Sequence, residues 1–276
     1  MEWQPLAIPK NSSWQIEVVP SLRYDDYSDA GHRRSPKLAL VLNREAATRL
    51  SLHGSAGRSF RVPSMNDLYW QEPFIVGNPN LRPERGREIE GGALYEFSRA
   101  GNWQLELAAF DSKIEDLIVW SVDESFNYSP VNLEDAKISG VEAMVAWRSH
   151  GDRLAGRAGY VRLSAKNDGA ASGSRGNDLV YRPRHKFDLQ ARADLRYLTL
   201  GGSLQLVGKR FANPENTKSL PAYRLANFSI GRKFRFGGME ALLHTEVRNV
   251  FDRRYQIIDG YPMPGREYRA SLKIGN

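Results

Sequence analysis

At 276 residues, 41% hydrophobic and 26% charged, the chain has room for one large all-β domain or two ordinary ones, and with no apolar run near the roughly 18 residues of a membrane-spanning helix it is not a helical membrane protein. The absence of cysteine excludes disulfides, thiolate metal sites and cysteine nucleophiles together. A formal net charge of +7 admits nucleic acid or an anionic surface as partner, but Arg58, Arg61, Arg82, Arg85, Arg157 and Arg182 stand singly and form no stripe, which argues against nucleic acid.

The chain opens on Met1-Glu2-Trp3-Gln4-Pro5, which lacks the positive start and apolar core of a secretory signal; the expectation is a removed signal or a piece of a longer chain. From there the pattern predicts about twelve strands: 13–24, 36–44, 48–58, 87–98, 102–121, 136–149, 153–166, 184–196, 198–212, 222–236, 239–256 and 264–275. The warrant is period-2 alternation. Ile89, Ala93, Tyr95 and Phe97 oppose Glu88, Glu90 and Glu96; Trp103, Leu105, Leu107 and Ala109 oppose Gln104 and Glu106. The alternation of Phe187, Leu189, Ala191, Ala193 and Leu195 with Lys186, Asp188, Gln190, Arg192 and Asp194 is complete. A helix would scatter these residues around its circumference, whereas a strand sorts them onto two faces.

Connections alternate in length. Short ones fall at 44–47, 99–101, 150–152, 195–197 and 237–238; long ones at 25–35, 59–86, 122–135, 167–183, 213–221 and 257–263 hold much of the Pro, Gly, Asn and Ser. Aromatics recur beside the short turns: Phe97 and Trp103, Trp147, Tyr197, then Phe234 and Phe236. Short turns at one end, long loops at the other and an aromatic girdle at similar depth describe an up-and-down antiparallel transmembrane β-barrel. The scattered positive charge then belongs to solvated loops and a polar lumen.

Three segments resemble the barrel of the TonB-dependent outer-membrane receptors. The first is Ser59-Phe60-Arg61-Val62-Pro63-Ser64-Met65-Asn66-Asp67-Leu68-Tyr69-Trp70 with Gly77-Asn78-Pro79-Asn80-Leu81-Arg82-Pro83-Glu84; the second is Asn132-Leu133-Glu134-Asp135-Ala136-Lys137-Ile138-Ser139-Gly140-Val141-Glu142; the third is Asn249-Val250-Phe251-Asp252-Arg253-Arg254-Tyr255 with Gly265-Arg266-Glu267-Tyr268. Pro83, Gly140 and Asp252 are expected to serve the fold and not a ligand. The resemblance implies a barrel of about 22 strands filled by an N-terminal plug, with residues 1–276 as the C-terminal part of the barrel and the plug absent from them. It implies an outer-membrane receptor, not an enzyme, that imports a bulky scarce nutrient, a corrinoid or a metal chelate such as a ferric siderophore. Its partners would be outer-membrane lipid, lipopolysaccharide and, through the plug, the TonB complex. The ending 260–268 is similar to that of cobalamin receptors, and siderophore receptors share much of it.

No catalytic or metal motif appears. His32, His53, His150, His185 and His244 form no ligand pair, and there is no nucleophile elbow, phosphate loop or dinucleotide fingerprint. His244 and Glu246 share one face of a strand, where a lumen-lining pair is expected over acid–base work. Tyr24-Asp25-Asp26-Tyr27-Ser28-Asp29 is an acidic loop, read as solvated with calcium as the alternative. No cofactor or metal is expected. Trp70, Phe74, Trp120, Phe126 and Tyr128, in or beside the two richest loops, are the candidate ligand contacts, because aromatic tips stack on a macrocycle or a catecholate. Two other readings stay open: a small passive channel closed by twelve strands, and a soluble β-sandwich binding module.

Overall fold

A computed structural model describes residues 14–27, 31–122, 127–169, 174–236 and 239–275. The elements are β1 (Gln15–Tyr27), β2 (Gly31–Glu45), β3 (Arg49–Arg61), α1 (Met65–Tyr69), β4 (Gln71–Glu72), β5 (Ile75–Val76), β6 (Glu84–Ser98), β7 (Asn102–Val122), β8 (Tyr128–Arg148), β9 (Leu154–Asn167), β10 (His185–Leu195), β11 (Leu198–Val207), β12 (Arg210–Phe211), β13 (Ser219–Leu220), β14 (Tyr223–Phe236), β15 (Met239–Arg248), β16 (Gln256–Ile258), β17 (Tyr261–Pro262) and β18 (Glu267–Gly275). The long strands form one antiparallel sheet in the order β1-β2-β3-β6-β7-β8-β9-β10-β11-β14-β15-β18. Each pairs with its neighbours in sequence, the short β4, β5, β12, β13, β16 and β17 being loop structure. The twelve predicted strands and their up-and-down order are therefore present.

Register decides what each face is made of. Leu38 pairs with Ala56, Ala56 with Ile89, and Ile89 with Asp111. Four residues nearer the short turns, Ala93, Leu107, Ala143, Tyr160, Phe187 and Leu206 follow in unbroken register over β6 to β11. Phe228, Val247 and Tyr268 continue that face across β14, β15 and β18. The opposite face carries Ser55 beside Glu90, Glu142 beside Val161, Asp188 beside Gln205, and Ser229 beside Glu246. Successive side chains point to opposite sides, so towards the short turns one surface is largely apolar and the other polar, while nearer the long loops the apolar side also carries charge, as at Asp111 opposite Ile89 and Arg162 opposite Val141.

The apolar face is uncovered. Leu52, Ile89, Leu107, Val141, Leu189, Phe228, Leu243 and Leu272 are all exposed. Of the few buried apolar residues, Leu81, Ile118, Ala136, Ala165, Val207 and Leu220 gather at the long-loop end, and Ala241 lies beside a short turn. There is thus no stacked second sheet over the apolar rows among the described residues, and a sandwich core is not what holds the chain together. The polar face bounds a concavity of about 990 Å³ whose lining includes Arg49, Gln104, Arg157, Gln190, Asn227 and Glu246.

At the short-turn end the aromatics stand where the alternation places them. Phe97 stacks on Trp103 at 6.0 Å between centroids, and Trp103 lies 6.0 Å from Trp147. The Trp103 indole N–H donates to the carbonyl of Arg99 (3.0 Å), and that of Trp147 to the carbonyl of Ala100 (3.2 Å). Each ring presents its apolar body outward and satisfies its one polar atom at the turn, as an interfacial tryptophan does. The side chain of Phe236 and the turn 237–238 lie outside the described residues.

Several boundaries differ from the sequence expectation. The segment 25–35, expected as a loop, is largely strand: β1 runs to Tyr27 and β2 starts at Gly31. Asp25 and Asp26 therefore point to opposite faces and do not converge on a cation; Asp25 pairs with Arg23 at 2.7 Å and Asp26 with His32 at 3.5 Å. Ser28 and Asp29 lie outside the described residues. The expected loop 122–135 is likewise mostly strand, because β7 and β8 stay paired out to Val122 and Tyr128. Conversely, 239–256 ends as strand at Arg248, where Asn249 (φ 48°) and Asp252 (φ 51°) turn the chain.

Gly140 is needed for close packing. A Cβ there would lie 2.7 Å from Cζ of Phe110 and 2.8 Å from the carbonyl oxygen of Arg162, so the Phe110 ring lies over the glycine on the polar face. The sheet does not close: β1 and β18 each have one neighbour. Unpaired strand edges are costly in lipid and adhesive in water. The 276-residue chain by itself is therefore expected to self-associate in detergent, with light scattering showing dimers or larger species; a stable monomer with a sharp reversible melt would contradict this.

Candidate functional site

The long-loop end is organised by residues 62–83. Ser64 caps α1: its hydroxyl accepts from Asp67 N–H (3.1 Å), and Asp67 accepts in return from Ser64 N–H (2.9 Å) and from the Ser64 hydroxyl (2.7 Å). This reciprocal box satisfies donors that a helix start leaves orphaned. Asp67 is buried and also accepts from the Trp120 indole N–H at 2.9 Å. One carboxylate thus ties the loop to the tip of the β7–β8 hairpin. Burial alone would raise the Asp67 carboxyl, but the Ser64 and Trp120 hydrogen bonds and the nearby Arg61 outweigh it and hold the group below the usual carboxylate range.

A second tie follows directly. Beyond α1, the chain turns at Phe74 (φ 67°), and β5 lies parallel to β8 at Ile75 and Tyr128. The Tyr128 N–H donates to the Phe74 carbonyl at 2.7 Å, and the Tyr128 and Trp120 rings are 5.3 Å apart. Gly77 packs where any Cβ would meet the backbone of Leu68, Tyr69 and Trp70 at 2.7 Å. Four of the five expected ligand contacts are therefore on one loop cluster: Trp120 and Tyr128 in contact, Phe74 joined to them through its backbone, and Trp70 at the end of α1. The side chain of Phe74 is 72% exposed and that of Trp70 37%, so both present apolar surface outward. Phe126 lies outside the described residues.

The family-like motifs serve as locks between these loops. Asn78 accepts from Asn80 N–H (3.0 Å), an Asx turn, and its amide donates to the carbonyl of Pro130 (3.1 Å). Asn132 accepts from Arg82 N–H (2.8 Å) and donates to the carbonyls of Arg82 (2.8 Å) and Asp116 (2.7 Å), while Arg82 pairs with Asp116 at 2.7 Å. Glu84, buried, takes both forks of Arg61 and accepts from Ile118 N–H at 2.9 Å. In the third motif Asp252 accepts from Arg266 N–H (2.8 Å), and a Cβ on Gly265 would fall 2.6 Å from that carboxylate. Pro83 sits between Arg82 and Glu84, just ahead of β6.

On the polar face His244 and Glu246 share one side of β15, where Glu246 pairs with Arg248 at 2.9 Å. Among the described residues no group of three potential metal-ligating side chains occurs. Asp67, Glu84 and Asn132 organise the site, yet sequence reasoning did not single them out individually. The available signal was Ser64-x-x-Asp67, a capping-box spacing before a short apolar run.

One antiparallel sheet with an apolar and a polar face, short turns with aromatics at one end and interlocked loops at the other, is the wall of an outer-membrane-type β-barrel. Residues 7–250 match the family profile described as TonB dependent receptor-like, beta-barrel, and the chain belongs to that family of receptors and transporters. It is similar to the vitamin B12 transporter BtuB of Photobacterium profundum, with 29% identity over 96% of this chain and 41% of that protein. The BtuB of Vibrio vulnificus is also 29% identical, over 87% of this chain and 36% of its own length. This chain thus spans well under half of the curated relatives it matches. In fold it is similar to the ferric enterobactin receptor of Pseudomonas aeruginosa, with TM-score 0.68 and 20% identity over 93% of this chain and 43% of that one. The siderophore receptor PirA of Acinetobacter baumannii superposes with TM-score 0.67 at 19% identity, over 93% of this chain and 43% of that one.

Proposed function

We propose that this chain is the C-terminal part of the barrel wall of an outer-membrane receptor that takes up a bulky, scarce nutrient, a corrinoid or a ferric siderophore. The observation that carries the reading is the sorting of faces in direct register over β6 to β11, with Ala93, Leu107, Ala143, Tyr160, Phe187 and Leu206 on one side: acyl chains cover the apolar rows, and the polar rows line a lumen. Energy for release of the nutrient inward comes from the TonB complex acting through a plug. The similarity to vitamin B12 transporters and the fold shared with siderophore receptors support the substrate class.

The ligand contacts proposed are Trp70, Phe74, Trp120, Phe126 and Tyr128, at the outer mouth. Recognition there is by stacking and apolar cover, with no covalent chemistry. Trp120 supplies the test. With the protein in bilayers, cyanocobalamin or a ferric catecholate is expected to quench tryptophan fluorescence saturably, and Phe74→Ala with Tyr128→Ala to weaken binding about tenfold, roughly 1.4 kcal/mol. Folded protein that binds neither probe, or binds equally after both substitutions, would contradict the assignment.

A further inference from the structure

We infer that Tyr181 and Tyr261 complete the ligand site next to Tyr128, offering their phenol O–H groups to oxygen acceptors on the ligand. Both lie in long loops, 167–183 and 257–263, remote in sequence from the segments that carry Trp70, Phe74, Trp120 and Tyr128. The fold brings them near Tyr128. Burial pushes the Tyr128 phenol up, and the phenols of Tyr181 and Tyr261 act on it through space in the same direction. Such action fades beyond about 10 Å in 0.1 M salt, so the two phenols stand within that reach of the third.

The loops that carry Tyr181 and Tyr261 are held together by their own ties. Asp178 N–H donates to the side-chain carbonyl of Asn216 (2.7 Å), and the Asn216 amide donates back to the Asp178 carbonyl (2.9 Å). Lys218 then pairs with Asp259, two residues before Tyr261. The buried Arg210 guanidinium donates to the carbonyls of Pro221 (3.3 Å) and Gln256. Tyr181 N–H donates to the Phe211 carbonyl at 2.8 Å, and its φ is 58°. That conformation is unfavourable for a residue with a side chain and persists where the surroundings impose it.

The three phenols have no partner of their own. Among the described residues none of their oxygens makes a hydrogen bond, and no hydrogen bond or ion pair joins Trp120 or Tyr128 to Tyr181 or Tyr261. Tyr128 and Tyr261 are exposed and Tyr181 is half-buried. A tyrosine at neutral pH gives one O–H donor and a flat apolar ring. Corrin amide carbonyls and catecholate oxygens both match that donor, each at the edge of a broad apolar body.

This inference rests on the receptor reading above and adds two residues to its site. The protein isolated from its native membranes and held in bilayers is titrated with cyanocobalamin and with a ferric catecholate. Tyr181→Phe with Tyr261→Phe is expected to weaken the probe that binds about tenfold, and the identity of that probe separates amide from catecholate oxygen. A saturating concentration of it is expected to shield Tyr181 and Tyr261 from nitration by tetranitromethane, read by mass spectrometry. Phenylalanine keeps the ring, so hydrogen exchange over residues 174–184 should stay unchanged. Unaltered affinity in this variant, nitration equal with and without the probe, or affinity lost together with faster exchange over 174–184 overturns the inference. The receptor reading survives any of these if Phe74→Ala with Tyr128→Ala still weakens binding. Folded protein that binds neither probe overturns both.

Discussion

Replacing Leu107 by arginine is expected to destabilise the membrane-inserted sheet by about 2–4 kcal/mol, although Leu107 is 54% exposed and touches no stacked layer. In a water-soluble protein an exposed position of this kind tolerates substitution within about 0.5 kcal/mol. Here the cost arises because the residue sits mid-row, between Ala93 and Ala143, where the surrounding solvent is hydrocarbon. The neighbouring polar-face position gives the control: Met144, opposite Glu106 and Gly159, should accept arginine within about 0.5 kcal/mol. Denaturant unfolding from lipid vesicles measures both. A neutral result at Leu107, or an equal loss at Met144, would remove the basis for assigning lipid to one face and water to the other.

Asp67→Ala should release the long-loop cluster. The substitution strands the Trp120 indole N–H and the donors of Ser64, with hydrogen bonds to a charged acceptor contributing about 1.5–3 kcal/mol each. A local loss of about 3 kcal/mol is expected, read as faster hydrogen exchange over residues 64–78 and a red-shifted Trp120 emission, with the sheet's own amides unchanged. The pH dependence has a definite sign. Because the folded carboxyl titrates below its ordinary value of 3.8, the stabilisation is fully present above that value and is lost as pH falls through the lowered one. The cluster should open in acid before the sheet does, and the Asp67→Ala protein should lack that acid step. An unaltered acid transition in the variant would contradict the role given to this carboxylate.

The mechanical consequence concerns ligand exchange. The loops hold to each other through Asp67, Asn132 and Glu84, each a buried or half-buried polar hub, and the aromatic surface of Trp70 and Phe74 is carried on this framework. On this framework the ligand site proposed above is largely pre-formed, which limits the ordering cost of binding.

The sequence by itself determined the strands, the sorting of side chains onto two faces and the succession of short turns and long loops. Those properties are local, since period 2 acts between neighbours and turn chemistry over a few residues. It located the aromatic-rich loops for the same reason. It misjudged 25–35 and 122–135, where polar and turn-forming residues stay extended because the partner strand pairs with them. Only the tertiary structure decided which residues meet. Asp67 and Trp120, 53 positions apart in the chain, become partners once the loop docks on the hairpin. Lys113 and Lys137, with Arg58, Arg87 and Lys166, read as isolated charges along the chain, yet cross-strand register gathers them into one row. Side-chain alternation and the short turns constrain register within a hairpin, but across the long loops it depends on pairings between segments tens of residues apart, as for Arg58 with Arg87 and Lys137 with Lys166.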